Sequence, residues 1–238
     1  GTSLNSLVNG YSAEGGSSEV TYSTHNGGHF QIPYSMSYYG GWYYGIAFMF
    51  RGLGWDFGSG DFTVEMWIRP TGSNMGMVVE ATYAQGNASS SSTGRIDLWY
   101  YTKYNSSGAH YVFRSYDSNG ANNTMWNSNG FEELQTSYYN VHGSMDWRYN
   151  RDWFHVVITS DVSTTTRKHY INGSLKYTYN DSMNDEIRSY GVANNTLLSL
   201  GGAIGSNNPY EGDMAIVRLY KGKALSASEV SQNYDVDK

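Results

Sequence analysis

Glu211 and Asp213 stand at alternate positions in Tyr210-Glu211-Gly212-Asp213-Met214. Successive side chains of an extended strand point to opposite faces, so these two carboxylates would share one face. Glycoside hydrolysis needs such a pair, one acid to protonate the leaving oxygen and one carboxylate to attack or to activate water. The next alternate position is Ala215, and the row ends there. The remaining close acids are adjacent pairs, Glu132-Glu133 and Asp185-Glu186, which point apart if extended and serve solubility. No Gly-x-Ser-x-Gly turn presents a serine nucleophile. The chain is therefore expected not to be an enzyme. Glu211 and Asp213 read instead as a solvated loop leading into a strand.

Metal chemistry is sparse among the histidines. His25 and His29 bracket Asn26-Gly27-Gly28, a loop rather than the helix on which a zinc-binding pair usually sits. His155 lies in an apolar stretch, where a hydrogen-bonded structural imidazole is expected. Oxygen-rich segments suit calcium better. Asp117-Ser118-Asn119-Gly120 places oxygen ligands two apart before a turn glycine, like half of an EF-hand loop. Asp117 and Asn119 are the candidate ligands, and the bidentate acid is missing unless Glu132 or Glu133 folds back. Asp181, Asp185 and Glu186 form another such stretch, and an ordinary polar loop is the competing reading for both.

Composition points to recognition. The chain has 238 residues with 23 Tyr and 28 Gly, and Ser and Asn are also abundant. Tyr gives rigid amphipathic contact area at low entropy cost, while small polar residues adapt their hydrogen bonds. Sugars present apolar C–H faces and hydroxyls, so a site for them joins a flat aromatic to short polar side chains. Asn122 to Asn127 carries Trp126 and Asn127 among amides. Tyr138 to Tyr149 holds Tyr138, Tyr139, His142, Trp147 and Tyr149. Asn207-Asn208-Pro209-Tyr210 adds Asn207, Asn208 and Tyr210. These are the candidate ligand residues, on the expectation that an aromatic on a long loop is exposed for use. Trp126 and Trp147 serve equally well as anchors that pin their own loops. Trp42-Tyr43-Tyr44, and Trp99 with Tyr101, fit either a ligand platform or a subunit interface.

Other classes are excluded more simply. A net charge of −6 offers no clustered cation for phosphate, which argues against nucleic acid. No apolar run has the length of a membrane span. There are no cysteines, so neither disulfides nor thiol chemistry is available.

The elements that must carry these loops are strands. Short apolar or alternating segments recur between Gly/Asn/Ser clusters, the pattern of an all-β sandwich. Phe62, Val64, Met66 and Ile68 alternate with Thr63, Glu65 and Trp67. Met77–Glu80, Ile96–Tyr101, Tyr111–Tyr116, Leu197–Leu200 and Met214–Tyr220 read as further strands, and Trp153–Thr159 is apolar enough to be central. Arg167–Tyr179 predicts a hairpin turning at Asn172-Gly173, both tolerant of the positive φ of a type I′ turn. One helix start is expected: Ser226 as cap, Glu229 closing the capping box, Leu225 stapled to Val230, the helix running to Tyr234.

Five segments together resemble a known family. FGSGDFTVEMWIRP (Phe57–Pro70) is similar to the first long strand of laminin-G-like jelly rolls, and Trp153–Thr159 to their central strand. The Tyr170–Leu175 hairpin, Leu197–Gly202, and the stretch Tyr210–Val230 resemble the elements that follow, through the closing strand and terminal helix. The resemblance to the laminin-G-like, concanavalin A-like lectin/glucanase group spans residues 57–234. Residues 1–51 match poorly beyond an opening strand and one near Ala47–Arg51. It implies a single domain over 1–238, a two-sheet antiparallel jelly-roll sandwich, with ligands met at loop ends or on a concave face and often one calcium at a loop rim. Glucanases of the group carry E-x-D-x-E on one strand, and Ala215 replaces the last acid here. The expected function is a surface-exposed, extracellular adhesion domain binding glycans, with the tip of a homotrimeric fibre as its setting. The rival is a structural or protein-binding oligomerisation module, and a polysaccharide hydrolase is the third reading.

Overall fold

A computed structural model describes residues 15–16, 21–23, 28–32, 43–44, 48–51, 60–70, 76–83, 95–105, 108–118, 132–137, 153–180, 196–201, 203–204 and 210–238. Side chains are described over 22–23, 28–32, 60–69, 153–176, 178, 200–201 and 210–238. The strands are β1 (Gly15–Gly16), β2 (Thr21–Ser23), β3 (His29–Ile32), β4 (Tyr43–Tyr44), β5 (Phe48–Arg51), β6 (Phe62–Pro70), β7 (Gly76–Tyr83) and β8 (Arg95–Asn105). They continue as β9 (Gly108–Ser118), β10 (Glu132–Ser137), β11 (Phe154–Asp161), β12 (Thr166–Ile171), β13 (Ser174–Asn180), β14 (Thr196–Leu200), β15 (Ala203–Ile204) and β16 (Gly212–Lys221). Helix α1 spans Ala227–Asp237.

One seven-stranded sheet runs β13-β12-β11-β6-β16-β3-β2 and a second runs β1-β5-β14-β7-β8-β9-β10, each with antiparallel pairing throughout. This is the expected all-β jelly-roll sandwich with one C-terminal helix. Half of the twelve neighbouring pairs in these sheets join strands that are not consecutive in sequence, as in β6 beside β16, so the fold is built from non-local pairings as well as from hairpins.

The described core centres on β6 and β11. Phe62, Val64, Met66 and Ile68 are buried on one face of the first sheet, joined by Val156 and Ile158 from β11. The opposite face of β6 is buried as well, because Thr63, Glu65 and Trp67 lie at most 8 % exposed. Helix α1 covers that outer face. Leu225 and Val230 pack on Val157 and Tyr170, with Tyr220 alongside. Full burial of each such side chain contributes roughly 1.5–3 kcal/mol, more than the ~1 kcal/mol of a cap. Packing therefore holds the helix down and the cap defines where it starts. That cap is as the sequence predicts: Ser226 Oγ accepts from Glu229 N, and the Glu229 carboxylate accepts from Ser226 N. Thr63 ties the approach to the helix, accepting from Leu225 N and donating to the Lys223 carbonyl.

The β12–β13 turn also matches its sequence. Asn172 and Gly173 have φ of 50° and 73°, the left-handed values that a type I′ turn requires. The Asn172 side chain accepts from His155 N at 3.0 Å, which docks the turn onto β11. Not foreseen is the buried pair Arg167 and His169 on the face shared with Ser160 and Ile158.

Candidate functional site

The outer face of the first sheet carries two polar clusters. One is sealed. Glu65, fully buried at the centre of β6, takes four donors: His155 Nε2 at 2.8 Å and Arg218 Nη1 at 3.2 Å on Oε1, Tyr220 Oη and Asn233 Nδ2 at 2.9 Å on Oε2. Arg218 forks onward to Asp237 at the end of α1, with Nη2 to Oδ1 at 2.9 Å. Tyr234 stacks on Trp67, centroids 5.7 Å apart and planes 9° from parallel. Burial alone pushes the Glu65 carboxyl up, but the His155 and Tyr220 hydrogen bonds and the charges of Arg218 and His155 outweigh it and hold it below the ordinary glutamate value. The same contact pushes the Tyr220 phenol up to about 12, burial first and the Glu65 bond second. A carboxylate this enclosed cannot meet a substrate, so the cluster is an anchor for α1.

A bulge in β16 builds this arrangement. Met214 opposes Ile68, yet Val217 opposes Met66, so the strand gains one residue between them. Arg218 and Tyr220 thereby fall opposite Glu65 and Thr63, on the outer face with Asp213, which opposes Arg69.

The second cluster is partly open. Arg69 holds Asp213 Oδ2 through Nε at 2.6 Å and Nη2 at 2.5 Å. Its guanidinium lies over the Trp153 ring, 5.1 Å from the centroid. His29 meets Trp153 edge-on at 5.5 Å and points Nε2 at Asp213 Oδ1 from 3.9 Å, beyond hydrogen-bond range. Among the described residues neither nitrogen of His29 has a hydrogen-bond partner, although the residue is only 4 % exposed. Trp153 is half-buried and Arg69 keeps 20 % of its side-chain surface. Strand pairing sets the cluster: β3, β16 and β6 bring His29, Asp213 and Arg69 to one face, and Trp153 precedes β11 in the same alternation as His155.

Most expected ligand residues, Trp126, Asn127, Tyr138, Tyr139, His142, Trp147, Tyr149, Asn207 and Asn208, lie outside the described residues, as do His25 and Asn119. Tyr210 is a correction. Its ring is fully buried and its hydroxyl donates to the Asp213 carbonyl at 2.8 Å, so it offers no face to a sugar. It props the Gly212 corner, whose φ of 152° and contact with the Arg69 carbonyl leave no room for a Cβ. Asp213 is a second correction, buried and ion-paired rather than solvated. Burial pushes the neighbouring Glu211 carboxyl up. Asp117 belongs to β9, its backbone paired with Ile96, rather than to a loop. Among the described residues no group of three His, Asp or Glu could hold a metal. His155 is the structural imidazole expected, bonded at Nε2, while its Nδ1 has no partner. Arg69, Trp153 and Glu65 carried no functional signal in the sequence, because each sits in ordinary strand text and only cross-strand register assembles them.

Residues 51–231 match the family model described as the concanavalin A-like lectin/glucanases superfamily. The chain belongs to that superfamily. Solved structures with the same fold include the receptor binding domain of botulinum neurotoxin mosaic serotype C/D, 18 % identical with a TM-score of 0.56. The alignment covers 98 % of this chain and 50 % of that one, so the chain spans half of the toxin domain. Another is domain 4 of AbnA, a GH43 extracellular arabinanase from Geobacillus stearothermophilus, in complex with arabinotriose. It is 17 % identical with a TM-score of 0.50, over 97 % of this chain and 86 % of that one. Such identities establish a shared fold and nothing about ligand. Comparison with curated protein sequences finds no match. No helix among the described residues is long and apolar enough to cross a membrane.

Proposed function

We propose that this chain is a non-catalytic recognition domain that binds glycans displayed on cell surfaces, acting outside the cell as the tip of a homotrimeric fibre. The observation that carries its non-catalytic character is the state of Asp213. Its carboxylate is clamped by Arg69, and Ala215 stands where the row of acids would continue. A carboxylate tied to an arginine cannot cycle a proton at the glycosidic oxygen. Supporting the binding role are the superfamily itself and the aromatic, Asn-rich segments around Trp126, Tyr138, Tyr139, His142, Trp147 and Tyr149, with Asn207 and Asn208.

A glycan array with the purified protein tests the reading. Binding to a defined glycan subset, weakened at least tenfold in Trp126→Ala or Trp147→Ala, supports it. A folded protein that binds nothing on the array removes it. The rival, a protein-contact module, is favoured by Leu175 and Val236, which are exposed at 48 % and 76 %. Sedimentation velocity separates the two. A trimer whose assembly fails in Leu175→Ser or Val236→Ser, with an empty array, selects the rival.

A further inference from the structure

The open cluster on the outer sheet face has unused hydrogen-bonding capacity of a particular kind. Arg69 donates Nε to Asp213 and sets Nη2 against the same oxygen, and among the described residues no bond is made by Nη1. Asp213 takes both contacts on Oδ2, and among the described residues no hydrogen bond reaches Oδ1. Both ring nitrogens of His29 lack a partner among the described residues, on a ring that is more than nine-tenths buried. Native structures rarely leave buried polar groups unpaired, and each such group invites a partner. Beside these groups stands the half-buried Trp153 ring.

The geometry points to a second ligand contact at this place: Arg69, Asp213, His29 and Trp153 form a subsite for a neutral pyranose, gripped through a vicinal diol. This rests on the glycan-binding reading and deepens it by naming the sugar class. Adjacent ring hydroxyls each donate and accept. One donates to Asp213 Oδ1 and its neighbour accepts from Arg69 Nη1, while His29, sealed behind them, reports the contact without making it. The half-buried indole, already covered on one face by the Arg69 guanidinium, flanks the sugar as an apolar wall. The class follows from charge. Arg69 and Asp213 cancel, so the site offers no net positive charge to a carboxylate, and Asp213 would repel one. The Nε bond to Asp213 and the Trp153 ring beneath it hold the guanidinium in place, so little side-chain freedom is lost on binding.

The probes are methyl glycosides of galactose, glucose and mannose, with glucuronic acid and sialic acid as acidic counterparts. Binding is read by saturation-transfer difference and by the His29 imidazole resonances of the unsubstituted protein. One neutral glycoside is expected to shift the His29 resonances and to beat both acidic sugars by at least tenfold. Arg69→Lys, which keeps the charge and loses the fork, should weaken it at least tenfold, and Asp213→Asn similarly. Circular dichroism and thermal unfolding confirm that each variant is folded. If Arg69→Lys does not fold, the His29 shifts in the unsubstituted protein decide alone. Preference for an acidic sugar overturns the proposal. Glycan binding that is lost in Trp126→Ala but leaves His29 unmoved overturns it while the glycan-binding reading stands. An empty array for the folded protein overturns both.

Discussion

Glu65 Oε1 and His155 Nε2 lie 2.8 Å apart on neighbouring strands, both residues fully buried. They belong to β6 and β11, offset by two positions in register, with Trp67 directly opposite His155. Arg218, Tyr220 and Asn233 complete the shell around the carboxylate. The sheet centre is thus a charged knot that β16 and the C-terminal helix close together.

Removing the charge at its hub should be costly. Glu65→Gln keeps the shape but leaves Arg218 and His155 without their anion. Breaking a buried pair from one side costs about 3–5 kcal/mol. Urea unfolding should show a loss in this range, tempered because Arg218 retains Asp237. A loss below ~1 kcal/mol would mean the knot is decorative.

The same knot gives the protein an acid limb. Glu65 and Asp237 are both held below their ordinary values in the folded state, so the unfolded chain binds more protons in this range. Their stabilisation is present above the ordinary carboxylate values of 4.5 and 3.8 and is lost as pH falls through the lower folded values. Thermal unfolding followed from pH 7 downward should decline in that window. Glu65→Gln should flatten the decline.

Tyr220 gives the alkaline limb. Its folded value of about 12 lies above the ordinary 10.0. Its contribution is therefore intact below the ordinary value and fades as pH rises towards the folded one. Tyr220→Phe should remove that slope between these values, read by the same unfolding series.

The β12–β13 turn is a backbone test. At Gly173, φ is 73° and a Cβ would meet Tyr234 Cδ1 at 3.0 Å. Gly173→Ala should destabilise by about 1–2 kcal/mol from the left-handed conformation alone, and more if Tyr234 is displaced from Trp67. Denaturant unfolding measures the total, and near-ultraviolet circular dichroism reports the Trp67–Tyr234 stack.

Ser226→Ala removes the cap of α1 and should cost about 1 kcal/mol. Protection of the first-turn amides from hydrogen exchange should fall, while the Val230 region stays protected by its packing.

Local chemistry made much of this legible in the sequence. Alternation placed β6, the apolar run placed β11, Asn172-Gly173 fixed the turn, and Ser226 with Glu229 fixed the helix start, because each depends on residues close in the chain. The helix end is less well marked: it runs to Asp237, three residues beyond Tyr234, since Asp237 is held by Arg218 from another element.

Tertiary structure decided the rest. A straight reading of Met214–Tyr220 puts Met214, Arg218 and Tyr220 on one face, but the bulge divides them, and no local signal announces a bulge. Tyr210 looked like a loop aromatic offered to ligand, and it is buried because the chain folds it back onto Asp213. Which carboxylate is sealed, which arginine is half free and which imidazole lacks a partner are relations between strands far apart in sequence. Periodicity says that a side chain faces inward or outward. Only register says what stands opposite.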